Sequence, residues 1–569
     1  MLLAEQWAVL MDLAGDNELG TNVTPIFGGI QDVPAEVCLE RCRSTIQKWI
    51  TDCDNQHSAC KLGRNTEARF PSRVIDVLGG GGNSVILVEK EDIAENTGPY
   101  TTLSHCWGKS QFIQTRKRKF PRHKNGIQWK SLPKTIQDAI NIVRTLDIRY
   151  IWIDSLCIIQ DDSDDWKRQS ALMADVYANS YLKIAAKGSS DSRSGCFRQR
   201  SLVSMEDRQQ ASREIYVRPS FEDVHHRFIA LTREKFNSSA DSATPLLTRV
   251  WGFQERQLAP RTVLFHPSEM LMECKTGLRC ECTILDRINA KIQRSSPDHD
   301  LNVLDENEVL GKWFETVEEY SRLQLSYPSD RLVAIAGVAT IFQKRFKCRY
   351  LAGLWQCDIA RSLLWSVSGY VHTKSNNSLS RSKISFAPSW SWTSLVLQKG
   401  VSIVFRTIPG DSFSNHESFR CIDPTSTTDS DQIPDLRTES KIDRIEIQSL
   451  VVSAILVHNI NSSSLLRRGT LVFDPGREAR EFSVGIESEI STGSIDSFIR
   501  SGTIIISLPV GAKTVHHNRE GAQMTWLCTL VCKAAILGGE NVYERIGVFD
   551  VCENAKVFLE AKEETITLV

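Results

Sequence analysis

Tyr150-Ile151-Trp152-Ile153-Asp154-Ser155-Leu156-Cys157-Ile158-Ile159-Gln160-Asp161-Asp162 sets an unbroken apolar run directly before an aspartate and a polar, acidic end. Large apolar or aromatic residues in unbroken succession suit a strand covered on both faces, as in a parallel sheet under helices. The aspartate that follows stands at the carboxyl end of that strand, where open α/β sheets place their ligand crevices. A carboxylate there needs a hydrogen-bonding reason: it either binds a ligand, with Ser155 beside it, or caps its own turn.

Working outward, Leu132 to Leu146 has helical spacing, with Ile136, Ala139, Ile140, Val143 and Leu146 on one face and Pro133 suited to the first turn. Asp164 to Tyr177 reads as a second helix, acidic at its start, with Trp166, Met173 and Tyr177 on one side. Tyr181 to Ala186 is the next strand, and Tyr100 to Gly108 is a β-prone run ended by a glycine. Strands alternating with helices predict an α/β fold with a doubly wound, mostly parallel sheet over about 100–290. Ser104, His105 and Trp107 end the neighbouring strand, where they can meet Asp154 across the crevice, and Gly108 closes it. Two short strands, Arg73–Val77 and Val85–Val88, flank Gly79–Gly82 and Asn83. No Gly-Lys-Ser/Thr follows those glycines, so a hairpin loop is expected there, not a phosphate cradle.

The chain of 569 residues is too long for one hydrophobic core. The reading divides it into a helical, Cys-bearing segment at 1–70, the α/β domain at 71–300 and a helical extension at 301–407. A Ser/Thr/Asp-rich linker or loop at 408–440 and a β-rich module at 441–569 follow. The extension ends in Pro388-Ser389-Trp390-Ser391-Trp392, whose tryptophans share one face if the piece is a strand. The module's β-prone runs are Ile445–Leu456, Thr470–Phe473, Thr503–Leu508, Trp526–Cys532, Ile546–Val551 and Lys556–Leu559.

A formal net charge of −1 removes the electrostatic footprint of general nucleic-acid binding. The basic run Arg116–Lys119 with Arg122, His123 and Lys124 reads as a solvated loop. The start, Met1-Leu2-Leu3-Ala4-Glu5, lacks a basic region and a long apolar core, and no stretch approaches membrane-spanning length. Scattered cysteines without a secretory start read as reduced thiols, so the expected compartment is the cytoplasm. Adjacent strand residues point to opposite faces, which disfavours a Cys106–His105 nucleophilic dyad, and Cys157 reads as a small core residue. Cys53, His57 and Cys60 have ligand types and spacing compatible with zinc, with Cys42 or Cys38 as a fourth. The same side chains can equally pack inward from an amphipathic helix, so no metal is assigned. Cys274, Cys280 and Cys282 show no ligand pattern of their own.

Taken in order, these pieces resemble the fungal heterokaryon incompatibility (HET) domain family. The resemblance rests on Tyr100–Gly108, Leu132–Ala139, Tyr150–Asp162 with Trp166, Met173, Tyr177, Ala178 and Asn179, and Arg249–Leu258. It extends upstream to Trp49, Cys53, His57, Cys60 and Arg73–Val77, and downstream to Ser329–Leu332, Ala352–Trp355 and Pro388–Trp392. Membership implies a role in non-self recognition and programmed cell death, with self-association and other incompatibility or signalling proteins as partners. HET blocks are in turn remotely similar to TIR domains, which are flavodoxin-like and in some members cleave NAD. That likeness implies NAD as a substrate and no other cofactor, with Glu255 as the catalytic carboxylate. It implies Ser104, His105, Trp107, Gly108, Asp154, Ser155, Arg249 and Trp251 as substrate-binding residues. Gln254 and Glu255 stand at a spacing shifted from the TIR pattern, and a lone helical glutamate is also commonly solvated or paired, here with Arg249 or Arg256. The non-enzymatic alternative is a self-assembling signalling module.

Overall fold

The computed structural model describes residues 33–60, 70–200, 203–205, 215–217, 245–285, 301–369, 380–405, 412–422, 444–458, 467–473, 483–486, 503–516, 523–535, 541–552 and 561–569, with brief gaps inside these ranges. The chain divides into two units, one of residues 1–166, 176–246 and 259–295, the other of 167–175, 247–258 and 296–569. Residues 1–32, 423–440 and the run Lys556–Leu559 lie outside the described residues.

The first unit opens with α1 (Leu39–Gln56), whose buried face is Cys42, Ile46, Trp49, Ile50 and Cys53. β1 (Arg73–Asp76) and β2 (Ser84–Glu89) form an antiparallel hairpin. Asp76 starts its turn by accepting the Leu78 and Gly79 amides at 2.9 and 3.0 Å. β3 (Tyr100–Ser104), the short α2 (Phe120–Asn125), β4 (Ile127–Gln128), α3 (Lys134–Thr145) and β5 (Tyr150–Ile153) follow. After them come α4 (Asp154–Cys157), α5 (Ser163–Ala178) and β6 (Leu182–Ala185). A small hairpin pairs β7 (Val203–Met205) with β8 (Ile215–Val217). The unit closes with β9 (Arg261–Phe265), β10 (Met270–Cys274) and β11 (Leu278–Cys280). α3 forms as its periodicity predicts, with Pro133 at the N-cap and Ile136, Ala139, Ile140 and Val143 buried.

The nine strands of the main sheet run β11-β10-β9-β6-β3-β5-β1-β2-β4. The expectation of a mostly parallel sheet needs correction. Only β5–β3, β3–β6 and β6–β9 pair in parallel, and the five other pairings are antiparallel. Connection length accounts for three of them: parallel neighbours need a crossover, whereas the turns after β1, β9 and β10 are too short for one. The basic run 116–124 is likewise no free loop. It builds α2, which buries His123 and holds Lys124 against Glu89 at 2.5 Å.

In the second unit, α6 (Val250–Leu258) packs on α8 (Asp330–Phe346), with α7 (Glu306–Ser321) alongside. A Cβ added at Gly337 would lie 2.5 Å from the Ala174 Cβ, so only glycine admits this close approach. A short hairpin pairs β12 (Tyr350–Leu351) with β13 (Leu354–Trp355), and β14 (Trp365–Gly369), which follows α9 (Ile359–Leu363), pairs antiparallel with the distant β17 (Val401–Phe405). β15 (Ser380–Arg381) pairs with β16 (Leu395–Val396). Trp390 and Trp392 do not lie on a strand, so the condition for their sharing one strand face is not met. The Ser391 hydroxyl accepts the Thr393 amide at 3.0 Å and folds the segment into a turn and a 3₁₀ helix. Trp313, Trp355, Trp365, Trp390 and Trp392 are all fully buried.

The C-terminal sheet contains β18 (Ser412–Asn415), β19 (Arg420–Ile422), β20 (Ile445–His458), β21 (Arg467–Phe473), β22 (Ser483–Ile486), β23 (Thr503–His516), β24 (Gln523–Ala534), β25 (Val542–Cys552) and β26 (Lys562–Leu568). β18 and β19 fall within the 408–440 stretch read as a linker or loop. β20 pairs with β21 and β23, β23 with β24, β24 with β25, β25 with β22, and β22 with β21. Those pairings close into a ring, a solution that removes sheet edges. Arg545 of β25 is fully buried. Its guanidinium lies 3.6 Å from the centre of the Trp365 ring and donates to the Leu363 carbonyl.

Candidate functional site

Numbered in chain order, the four parallel strands lie second–first–third–fourth across the sheet, as β5-β3-β6-β9. The winding direction therefore reverses between β3 and β6, the point outside whose carboxyl ends open α/β sheets place their ligand crevices. Ser104 ends β3 and is buried, as are His105 and Cys106. The Ala186 amide donates to the Ser104 carbonyl at 3.0 Å, carrying the β3–β6 ladder to the crevice edge.

Beyond that edge the chain turns at Gly108, whose φ is +78°. A Cβ added there would sit 2.4 Å from the Asp191 Cβ, so both backbone conformation and space demand glycine. The Ser192 hydroxyl donates to the Trp107 carbonyl at 3.2 Å and ties this turn to the loop after β6. Asp191 organises that loop by accepting the Ser194 hydroxyl at 2.9 Å and the Arg193 amide at 2.8 Å. These bonds, the Ser194 hydroxyl foremost, hold its carboxyl below the usual carboxylate range.

Asp154 begins α4 directly after β5. Its Oδ1 accepts the Ser155 amide at 2.7 Å, and its Oδ2 accepts the Trp107 indole N–H at 2.9 Å. The aspartate thus caps its own turn and also bridges the ends of β5 and β3. Phe112 packs edge-on to Trp107 with centroids 5.3 Å apart, and edge-on to His105 at 6.4 Å. The loop bearing Phe112 is stitched to the strand end, since Thr115 N donates to Ser155 O at 3.0 Å and Gln160 N to Thr115 O at 2.8 Å. Ser155 is fully buried, and its hydroxyl has no hydrogen-bond partner among the described residues. Cys157 is a core thiol: burial pushes it up to about 12, and its sulfur accepts the Ile153 amide at 3.4 Å. A buried, neutral thiol is no nucleophile.

Arg249, Trp251 and Glu255 belong to the second unit. Arg249 forms an isolated parallel bridge with Gln324. The Trp251 indole donates to Asp330 at 3.2 Å, and Asp330 is raised by burial. Glu255 is buried on α6, not solvated. Next to it, Gln254 accepts the Gly337 amide at 2.9 Å and latches α6 to α8. Ser104, His105, Trp107, Gly108, Asp154 and Ser155 are therefore brought together at the carboxyl ends of β3 and β5 in the first unit. Phe112, Thr115 and Asp191 were missed by sequence reasoning, because their loops carry no periodicity that points to them.

One side-chain cluster has the donors of a metal site. The ligand atoms of Cys53, His57, Cys60 and Cys274 all lie within 4.8 Å of one another. The fourth member corrects the expectation of Cys42 or Cys38. Cys38 is the N-cap of α1, with its sulfur accepting the Arg41 amide, and about 22 Å of helix separates it from Cys53. Cys42 is about 16 Å from Cys53 by the same rise. A second, smaller group joins Glu269, Cys280 and Cys282, with the two sulfurs 3.2 Å apart.

Among the described residues no helix is long and apolar enough to cross a membrane. Residues 100–255 match the family model described as Heterokaryon incompatibility protein (HET). No curated protein and no solved structure matches the chain.

Proposed function

Because the chain carries a HET domain over residues 100–255, and with it a function related to heterokaryon incompatibility, we propose that it is a cytoplasmic effector of fungal non-self recognition that acts by cleaving NAD. The observation that carries this reading is the crevice where the sheet reverses its winding, furnished with an aromatic wall and a fixed carboxylate. Its second–first–third–fourth strand order is that of flavodoxin-like sheets, which bind nucleotides at this point. Trp107 and Phe112 present ring edges and faces suited to a nicotinamide or adenine ring. The Asp154 carboxylate accepts the Ser155 amide and the Trp107 indole, and a carboxylate so held is the kind of acceptor that ribose hydroxyls suit.

In the reaction, the ribose C1′–nicotinamide nitrogen bond breaks and its electron pair leaves with nicotinamide. The remaining ribosyl cation adds water, which gives a proton to solvent or base. A carboxylate beside C1′ stabilises that oxocarbenium-like charge. The remote TIR likeness implies Glu255 for this role, which is tested apart from the residues at the strand ends.

Purified full-length chain is incubated with NAD and released nicotinamide is measured. Trp107→Ala is expected to raise KM at least tenfold, and Glu255→Gln to abolish turnover without changing NAD binding. Wild-type chain that releases no nicotinamide at high concentration or when forcibly oligomerised, yet still arrests fungal growth, would overturn the reading and leave self-assembly as the mechanism. Activity that survives Glu255→Gln but not Asp154→Asn would move the catalytic carboxylate to Asp154.

A further inference from the structure

We propose that Cys53, His57, Cys60 and Cys274 bind a single structural zinc ion that clips α1 to the antiparallel edge of the main sheet. The first three ligands come from one tight chain reversal. Cys53 and His57 stand one helical turn apart at the end of α1, and the His57 amide donates to the Cys53 carbonyl at 2.9 Å. Cys60 then closes a 3₁₀ turn, its amide bonded to the His57 carbonyl at 3.2 Å. Cys274 arrives from the last residue of β10, more than two hundred positions later in the chain.

The dimensions suit a tetrahedral ion. With Zn–S near 2.3 Å and Zn–N near 2.0 Å, neighbouring ligand atoms should lie about 3.5–3.8 Å apart. The Cys274 sulfur is 3.3 Å from the His57 Nδ1, and the whole set fits within 4.8 Å. Only small rotamer adjustments separate that arrangement from a coordination sphere. Three sulfurs and one imidazole favour zinc over hard cations, which prefer oxygen, and over iron–sulfur clusters, which usually take four thiolates. With four protein ligands the sphere is closed, the pattern of a structural site and not a catalytic one.

The surroundings support thiolates. Arg261 is almost wholly buried, donates through Nε to the Cys53 sulfur at 3.2 Å, and pairs with Asp54. Three thiolates and Zn²⁺ sum to one negative charge, and a guanidinium bonded to a ligand sulfur is the outer contact that such a site needs. The Thr276 hydroxyl lies 3.8 Å from the Cys60 sulfur. Binding releases up to one proton per thiol to solvent, with no change of oxidation state.

The test uses untagged, full-length chain purified under reducing conditions without chelator. Elemental analysis is expected to find one zinc per chain. Cobalt exchanged into the site should give the intense visible bands of a tetrahedral thiolate complex together with near-ultraviolet sulfur-to-cobalt charge transfer. Cys274→Ser and His57→Ala should each lose at least nine-tenths of the zinc, whereas Cys38→Ser and Cys42→Ser should retain it. If the first pair cannot be purified folded, the cobalt spectrum of the wild type decides alone. Metal-free wild-type chain that takes up no cobalt after reduction, or retention of zinc by Cys274→Ser, overturns the proposal.

Discussion

The two units fill their interiors with different chemistry. The first buries ion pairs: Arg73 with Asp165 at 2.7 Å, Arg200 with Glu281 at 2.7 Å, and Arg261 with Asp54. The second buries rings, with Trp313 edge-on to Trp355, Phe342 and Tyr350, and Tyr320 edge-on to Trp392. Ring burial is roughly proportional to area and forgiving of direction. Buried charges are worth little net while both partners stand, and leave a large penalty when one is lost. The first unit should therefore respond to single charges and to pH, and the second to lost volume.

The largest expected effect tests the ring-filled unit. Trp365→Ala should cost about 5 kcal/mol, from the cavity and from the guanidinium of Arg545 left without its stacking partner. Hydrogen exchange should show protection lost across β14, β17 and β25, with peptides of the main sheet little changed. Equal loss in both units would break the contrast. Next comes Asp165→Asn, expected to cost about 3–4 kcal/mol because Arg73 keeps its charge beside a neutral amide. Replacing both partners with apolar residues, Arg73→Met with Asp165→Leu, should recover most of that loss in urea melts. Failure to recover would mean that the Arg73 bond to the Cys157 carbonyl at 2.8 Å matters more than the ion pair.

A third, smaller effect concerns pH. His123 is buried, and burial first, then Lys119 and Arg122, push its imidazole down to about 4. Thr115 donates its hydroxyl proton to the Leu156 carbonyl at 2.6 Å, so its oxygen accepts from His123 Nδ1 at 2.8 Å and the ring is the Nδ1–H tautomer. Between pH 6.5 and 4 the unfolded chain takes up a proton that the folded chain refuses. Stability is thus full above about pH 6.5 and falls toward pH 4, by about 1–3 kcal/mol from this group. His123→Gln should flatten the slope of urea midpoint against pH in that window, and an unchanged slope would remove His123 from the account. The smallest effect is Trp107→Phe, which deletes one half-buried donor to Asp154 for about 1 kcal/mol and should blunt NAD affinity more than folding.

Much of the first unit could be read from local pattern. Ile136, Ala139, Ile140 and Val143 announced α3, and Tyr150–Ile153 announced a strand buried at every position. Their periodicities arise from packing on a single face or on both, which is information held within a dozen residues. What could not be read depends on contacts between distant positions. Nothing local marks Cys274 as the companion of Cys53, His57 and Cys60, and a helix rise applied to Cys38 and Cys42 would already have excluded them. The Trp390–Trp392 pair shows a different limit: alternation is compatible with a strand, but a serine hydroxyl between the rings offers the backbone a competing turn. At the crevice, Asp154 was foreseeable as the end of a buried strand. Trp107, expected at the end of the neighbouring strand, meets it through its indole N–H; that Phe112 would pack on Trp107 was not foreseeable, since its loop carries no periodicity.

The sealed tryptophans of the second unit also give it an optical signature. Indole emission shifts to the red when the ring meets water, and Trp313, Trp355, Trp365, Trp390 and Trp392 start fully dry. Intrinsic fluorescence should therefore report the melting of that unit with a red shift to which these five rings contribute. A cation resting on one of those rings adds a local field that the loss of β25 would switch off. The molecule can in this way be followed by light alone, without an attached dye.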